Sequence, residues 1–197
     1  MHRNSRLLFT KYAPPYFKDG MRVLEIAPDD FPSACRQAVT AGNLIWETLD
    51  IAAFVSKEYG ARLTYLAENP YRYPIADGTF DLVLSANVIE HVPKPWLYVA
   101  ELARVCKPGG HVISVNPTNW IFHQAPLDCW RIFPDGMRGL YESAGLATVL
   151  ATFESVEPWY IPVLRTGRQL GRLATFRKPN FMMGEVLDTI AIGQKPV

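Results

Sequence analysis

The sequence predicts an α/β fold, a mostly parallel β-sheet covered by helices on both faces. Three observations carry this. Short apolar strand signals alternate with longer helical ones from about residue 20 onward, Gly, Pro and Asp punctuate the joins, and 197 residues at 49% hydrophobic suit one compact core.

Residues 22–27, RVLEIA, read as a buried first strand, because Val23, Leu24 and Ile26 form an apolar run behind the Asp19-Gly20 turn. A helix is expected from Ser33 to Ala41. Residues 44–49, LIWETL, make a second strand ending at Asp50, with a short strand expected at Leu63 to Leu66. FDLVLS, residues 80–85, follows the Asp77-Gly78 turn as a further strand. Pro95 suits the first turn of a helix, where no backbone N–H is needed; that helix runs to about Cys106 and stops at Lys107-Pro108-Gly109-Gly110. HVISVN at 111–116 is the next strand, Pro134 to Ala144 a helix closed by Gly145, and 147–154 and 186–193 the last two strands.

Composition excludes several classes of function. Lys and Arg total 20 against 19 Asp and Glu, and a formal charge of +1 gives no field to draw in nucleic acid. Cys35, Cys106 and Cys129 are widely spaced and odd in number, with no CxxC or Cys/His pattern, so neither a metal site nor a disulfide framework is expected. No apolar run reaches the roughly 20 residues of a membrane span, and the N-terminus has too short an apolar stretch for a secretion signal. A cytoplasmic protein without stable membrane insertion is expected.

A single domain over 1–197 carries one insertion, at about 157–185, before the last strand. It holds Arg165, Arg168, Arg172, Arg177 and Lys178 with no acid between Glu157 and Glu185, while Leu164, Leu170, Leu173 and Phe176 supply apolar contacts. That pattern reads as a basic amphipathic segment, a lid over a pocket or a homodimer contact.

The stretch PIADGTFDLVLSANVIEHVPKPWLYVAELARVCKPGGHVISVNP, residues 74–117, resembles the small methyltransferase domain of the class I S-adenosylmethionine-dependent methyltransferases. A second set, His123, Pro126, Asp128, Trp130, Arg131 and Pro134 through Gly145, resembles a branch linked to glycan and secondary metabolism. The resemblance covers about 20–155 and 186–197. It implies a Rossmann-like class I methyltransferase fold whose last strand is antiparallel, S-adenosylmethionine as cofactor, and a small hydroxylated or glycosylated acceptor. A leading helix within Asn4 to Phe17 would be typical.

In parallel sheets the ligand sits beyond the carboxyl ends of the strands, near the reversal of strand order. That places Ala27, Asp50, Asn69 and Asn87 together. Glu25 ends the first strand and Asp50 the second, and a carboxylate there can accept both hydroxyls of a ribose. By the resemblance, Ile51 lies against the adenine, and Asn69 with Tyr71 reads its edge. The first loop departs from the family's Gly-x-Gly, reading Ala27-Pro28-Asp29. Asp29 could meet the cofactor's ammonium group, while the lost glycines leave a non-catalytic relative as the alternative.

His91 is the expected base for a hydroxyl acceptor. His123 and Asp128 are candidates beside it, with Trp130 and Arg131 as an acceptor wall; Asp128 and Arg131 could equally form an ion pair that fixes their loop. Asp50 alone would fit a nicotinamide site too, but the sequence has no G-x-G-x-x-G.

Overall fold

The computed structural model describes residues 1–124, 126–156 and 187–197, so the insertion expected at 157–185 lies outside the described residues. Seven strands form one sheet: β1 (Arg22–Ile26), β2 (Ile45–Ile51), β3 (Tyr65–Ala67), β4 (Phe80–Ala86), β5 (Cys106–Pro117), β6 (Ala147–Glu154) and β7 (Asp188–Gln194). Their order is β3-β2-β1-β4-β5-β7-β6, and only β7 runs against the others. From β1 the chain steps outward to β2 and β3, then crosses back to place β4 on the opposite side of β1. The strand order therefore reverses between β1 and β4, which is where a parallel sheet opens a crevice at its carboxyl end.

The central strands are continuous apolar runs because both their faces are covered. Leu24, Val83 and Val112 point to one face, where α4 (Pro95–Val105) and α5 (Pro134–Ser143) bury Tyr98, Leu102 and Tyr141 against them. Val23, Leu82, Leu84 and Ile113 point to the other, under α1 (Arg3–Tyr12) and α2 (Ala34–Ala38), which contribute Leu8, Phe9 and Cys35. Adjacent residues alternate between the two clusters, the period of two that a strand imposes.

Three elements differ from the sequence expectation. The helix expected over Ser33 to Ala41 is the single turn α2, because Val39 is already extended at φ −100° and ψ 123°. Ser33 does start it, its hydroxyl accepting from the Arg36 amide at 3.0 Å. The Lys107 to Gly110 segment ends α4 but also begins β5: Phe80 pairs with Cys106, the register then breaks, and pairing resumes at Leu82 with His111. A side chain at Gly110 would lie 2.7 Å from the Asp81 carbonyl, so the break needs glycine. Finally, α1, the leading helix that the resemblance implied, starts at Arg3 and docks through buried polar groups as well as through Leu8 and Phe9. Asn4 Nδ2 and Ser5 Oγ each donate at 3.0 Å to the buried Asp188 carboxylate at the start of β7.

Among the described residues no helix is long and apolar enough to cross a membrane. All three cysteines are free thiols, Cys35 and Cys106 buried and Cys129 exposed.

Candidate active site at the strand-order reversal

Ala27 and Asn87 directly follow β1 and β4, and both adopt left-handed backbone, at φ 50° and 53°. They are two of the three non-glycine residues with positive φ among those described. The cause lies in the hydrogen bonding of the strand ends. Ala27 N donates outward to Leu49 of β2 at 2.7 Å, while Asn87 N donates the other way to Val115 of β5 at 2.8 Å. Each chain turns toward its outer neighbour, and the space between is left without a ladder. An alanine held this way is strained by about 1–2 kcal/mol, a conformation that glycine adopts freely and asparagine tolerates.

Asp50 is the penultimate residue of β2 and is half-buried. Its Oδ1 accepts from the Ile51 amide at 2.7 Å, and among the described residues it has no ion pair. Burial raises its pKa from the ordinary carboxylate range. Parallel pairing sets Ile51 beside Ala67, so the turn that follows β3 rises next to the end of β2. In that turn Asn69 is exposed, and its amide oxygen accepts from Tyr71 N at 2.9 Å, which leaves its NH2 group to face outward partners.

Tyr59, on the single-turn helix α3 (Lys57–Gly60), ties the segment after β2 to the first loop after β1. Its hydroxyl donates to the Pro28 carbonyl in the first loop. Burial, and next the Asp50 charge, push this phenol up to about 12. Sequence reasoning did not single out Tyr59; the one local signal was Ser56, whose hydroxyl caps α3 by accepting from the Tyr59 amide at 3.2 Å.

Three expected cofactor residues have side chains engaged within the protein. Glu25 is buried below the rim: its Oε2 accepts from Ser33 Oγ at 2.6 Å and Trp46 Nε1 at 2.8 Å, so it braces the start of α2 beneath the loop. Burial pushes its pKa up to about 7. Asp29 Oδ1 accepts from the Ala34 amide at 2.9 Å, and its Oδ2 lies 3.4 Å from the Met1 ammonium. Asn87 likewise docks the N-terminal segment, accepting from His2 N and donating to Ser5 Oγ, both at 3.2 Å. The structure thus gathers Ala27, Asp50, Ile51, Asn69, Tyr71 and Asn87 at the strands' carboxyl ends, with Glu25 supporting from below.

Beyond β4 the chain makes a 3-10 turn over Ile89–His91 and meets the loop that follows β5. Glu90 O accepts from the amides of Cys129 and Trp130 at 2.7 and 3.2 Å, fastening the two segments. His91 Nδ1 bonds the Leu127 carbonyl, and His123 Nδ1 lies 3.1 Å from the Ile121 carbonyl. The two imidazoles meet edge to face at 5.0 Å.

Asp128 is not available as a base. Its side chain is 1% exposed and accepts from both Arg131 terminal nitrogens, at 2.5 and 2.8 Å, and from His123 N at 2.7 Å. The guanidinium beside it holds its carboxyl far below the ordinary range. Arg131 also donates to the Trp120 and Ile121 carbonyls, so it has no fork left for an acceptor anion. The ion pair fixes the loop, as one of the two sequence expectations had it. Trp130 Nε1 donates to the Val92 carbonyl at 3.0 Å, leaving a ring that is 38% exposed.

The sequence assigns no role to Glu90. It is 1% exposed with neither carboxylate oxygen hydrogen-bonded, and burial pushes its pKa up to about 8. An open cleft of about 530 Å³ exists at the opposite end of the sheet, bordered by Tyr16, Asp81, Lys107 and His111. There Lys107 and Asp81 neutralise one another at 2.7 Å, at the amino ends of the strands, the wrong end for a ligand of this architecture.

The family model described as "Methyltransferase domain" matches residues 27–114. An uncharacterized methyltransferase of Mycobacteroides abscessus is 45% identical over 60 residues, which is 30% of this chain and 23% of that protein. The match therefore spans less than a quarter of the curated relative's length. Among solved structures, Haemonchus contortus phosphoethanolamine N-methyltransferase 2 in complex with S-adenosyl-L-methionine is similar at TM-score 0.58 and 18% identity, over 99% of this chain and 53% of that one. The [4+2]-cyclase SpnF is similar at TM-score 0.62 and 17% identity, over 98% and 81%. Such likenesses show the fold alone, and a protein named for cyclisation on the same architecture is a reminder that function resides in the site.

Proposed function

We propose that this chain, whose residues 27–114 match the methyltransferase domain, is a class I S-adenosylmethionine-dependent methyltransferase, and that it transfers a methyl group from S-adenosylmethionine to a small hydroxylated or glycosylated acceptor; the domain match and the strand order support the reading. One observation carries the reading: a half-buried Asp50 carboxylate, with no cation paired to it among the described residues, stands at the carboxyl end of β2 beside the two left-handed turns. A vicinal diol supplies the two donors such a carboxylate lacks.

The residues present fit the cofactor. Ala27 has adopted the left-handed turn that relatives assign to glycine, so the first loop keeps its path despite the added methyl. Ile51 offers an apolar contact and Asn69 an unengaged NH2 for an adenine edge. When bound, the cofactor supplies a methyl group on a positively charged sulfur, already primed for displacement. The chain then has to orient an acceptor and exclude water. His91 and His123 serve the acceptor side: each has Nδ1 against a carbonyl, which fixes the proton there and leaves Nε2 with a lone pair for a hydroxyl. Burial lowers the His91 pKa, which keeps that imidazole neutral at neutral pH.

A second reading, a non-catalytic relative, is favoured by Asp29, whose two oxygens are engaged by the Ala34 amide and the Met1 ammonium. Calorimetry with S-adenosylhomocysteine separates the two. Under the first, the protein binds it at one site, and Asp50→Ala weakens binding at least tenfold, because each charge-assisted bond lost is worth about 1.5–3 kcal/mol. No heat from the unaltered protein would overturn that reading in favour of the second.

A further inference from the structure

We propose that Glu90, His91 and His123 bind a divalent transition-metal ion, with two imidazoles and one carboxylate as ligands. One ligand atom from each residue lies within 4.8 Å of the others, and His91 Nε2 is 3.8 Å from Glu90 Oε1. Tetrahedral zinc, at about 2.0–2.1 Å from its nitrogens, needs ligand atoms about 3.4 Å apart, so closure requires only small side-chain rotations of the two imidazoles.

Three features of the cluster match what a metal requires. Both imidazoles direct Nδ1 at a backbone carbonyl, Leu127 for His91 and Ile121 for His123. A carbonyl only accepts, so each Nδ1 carries the proton and each Nε2 presents a lone pair, the outer-shell arrangement that orients metal-binding histidines. Secondly, Glu90 is 1% exposed and neither of its oxygens is hydrogen-bonded. Ionising so buried a carboxyl group without partners is unfavourable by several kcal/mol, and a cation in the cluster would offset that cost. The Glu90 backbone amide, then the Arg131 charge and the Asn87 amide, oppose part of that cost, but neither amide makes a bond meeting hydrogen-bond geometry. Thirdly, the nearby positive charge is already neutralised, since Arg131 is clamped on Asp128.

The donor set narrows the ion. Two nitrogens and one carboxylate oxygen suit zinc, or iron, cobalt, nickel or manganese, better than magnesium or calcium, which favour all-oxygen shells. The His91 and His123 side chains are 16% and 28% exposed, so an ion can enter from solvent and keep an open coordination position on that side. If the methyl-transfer reading holds, and only then, an ion there would hold and polarise the acceptor oxygen in place of an imidazole acting alone.

The test is calorimetry of the full chain, stripped with chelator, against zinc chloride, with cobalt chloride as an optical probe. Zinc should bind at about one equivalent with a dissociation constant of about 1 μM or tighter, and cobalt should give visible bands typical of a four-coordinate nitrogen and oxygen site. The His91→Ala/His123→Ala double variant should lose at least about a hundredfold in zinc affinity, and Glu90→Gln, nearly the same in shape, at least about tenfold. Circular dichroism of each variant checks that it is folded. Absence of zinc binding by the unaltered protein, or equal binding by a folded double variant, overturns the proposal. S-adenosylhomocysteine titrated into the same unaltered protein reports on methyl transfer separately, so either idea can fail alone.

Discussion

Glu25→Gln tests the floor of the crevice through its response to pH. Burial is the main cause that lifts the Glu25 pKa from an ordinary 4.5 to about 7, with bonds from Ser33 and Trp46 opposing the rise and the Asp29 charge adding to it. Between those values the folded protein keeps a proton that the unfolded chain has already released. The stability this group contributes is therefore full below pH 4.5 and falls as the pH climbs, the loss being complete above about 7. At about 1.4 kcal/mol per pH unit, the interval from 4.5 to about 7 is worth about 3 kcal/mol. The residue is 3% exposed, so solvent screening takes little from that figure. Glutamine keeps an oxygen for Ser33 Oγ and Trp46 Nε1 and has no charge to bury. Urea unfolding followed by tryptophan fluorescence, from about pH 4 to about 8, should find the two proteins alike at the acid end. The variant should become more stable by about 3 kcal/mol at the alkaline end. Parallel stability curves would refute the reasoning, since Glu25 would then be ionised in the folded state at low pH.

Two further substitutions probe the rim and the acceptor loop. Ala27→Gly should relieve left-handed strain, raising stability by no more than about 1 kcal/mol once the extra freedom of the unfolded glycine is counted, and should leave S-adenosylhomocysteine affinity equal or tighter by calorimetry. A weaker affinity would show that the Ala27 methyl is a contact and not an obstruction. Arg131→Ala should cost about 3 kcal/mol in urea unfolding, because it strands a carboxylate that is 1% exposed, and Arg131→Lys should restore only part, having one nitrogen where the fork has several. A neutral Arg131→Ala would mean that the loop is held by its backbone bonds to Glu90 alone.

The central strands were legible in the sequence because their apolar runs, buried on both faces, stand out between turn residues: Val23 to Ile26 and Leu82 to Leu84 came out within a residue or two of their observed bounds. Asp50, Ile51, Asn69 and Asn87 could be assigned to one rim by strand ends alone, since a parallel sheet brings all its carboxyl ends to the same side. Where the reading fell short, the deciding interaction was polar or distant in sequence. The resemblance implied a leading helix, but nothing about Asn4 and Ser5 signals their burial until Asp188, at the far end of the chain, supplies their acceptor. Glu25 looked like a rim residue, yet strand alternation turns it toward Ser33 and Trp46. The cluster of Glu90, His91 and His123 has no motif spacing, because adjacent residues of a 3-10 turn meet a histidine from another loop. Asp128 and Arg131, three apart in sequence, could be read either as free chemistry or as each other's partner, and only their fork geometry decides.

The claim on which the rest depends is that an adenosyl group sits between β1 and β4 and is gripped by Asp50. Amide chemical shifts recorded on isotope-labelled protein, with and without S-adenosylhomocysteine, address it residue by residue. The largest shifts should fall at Ala27, Asp50, Ile51, Asn69 and Asn87, with the Lys107 to His111 end of the sheet unmoved. No shifts at saturating ligand, or shifts concentrated around Asp81 and Lys107, would contradict the account.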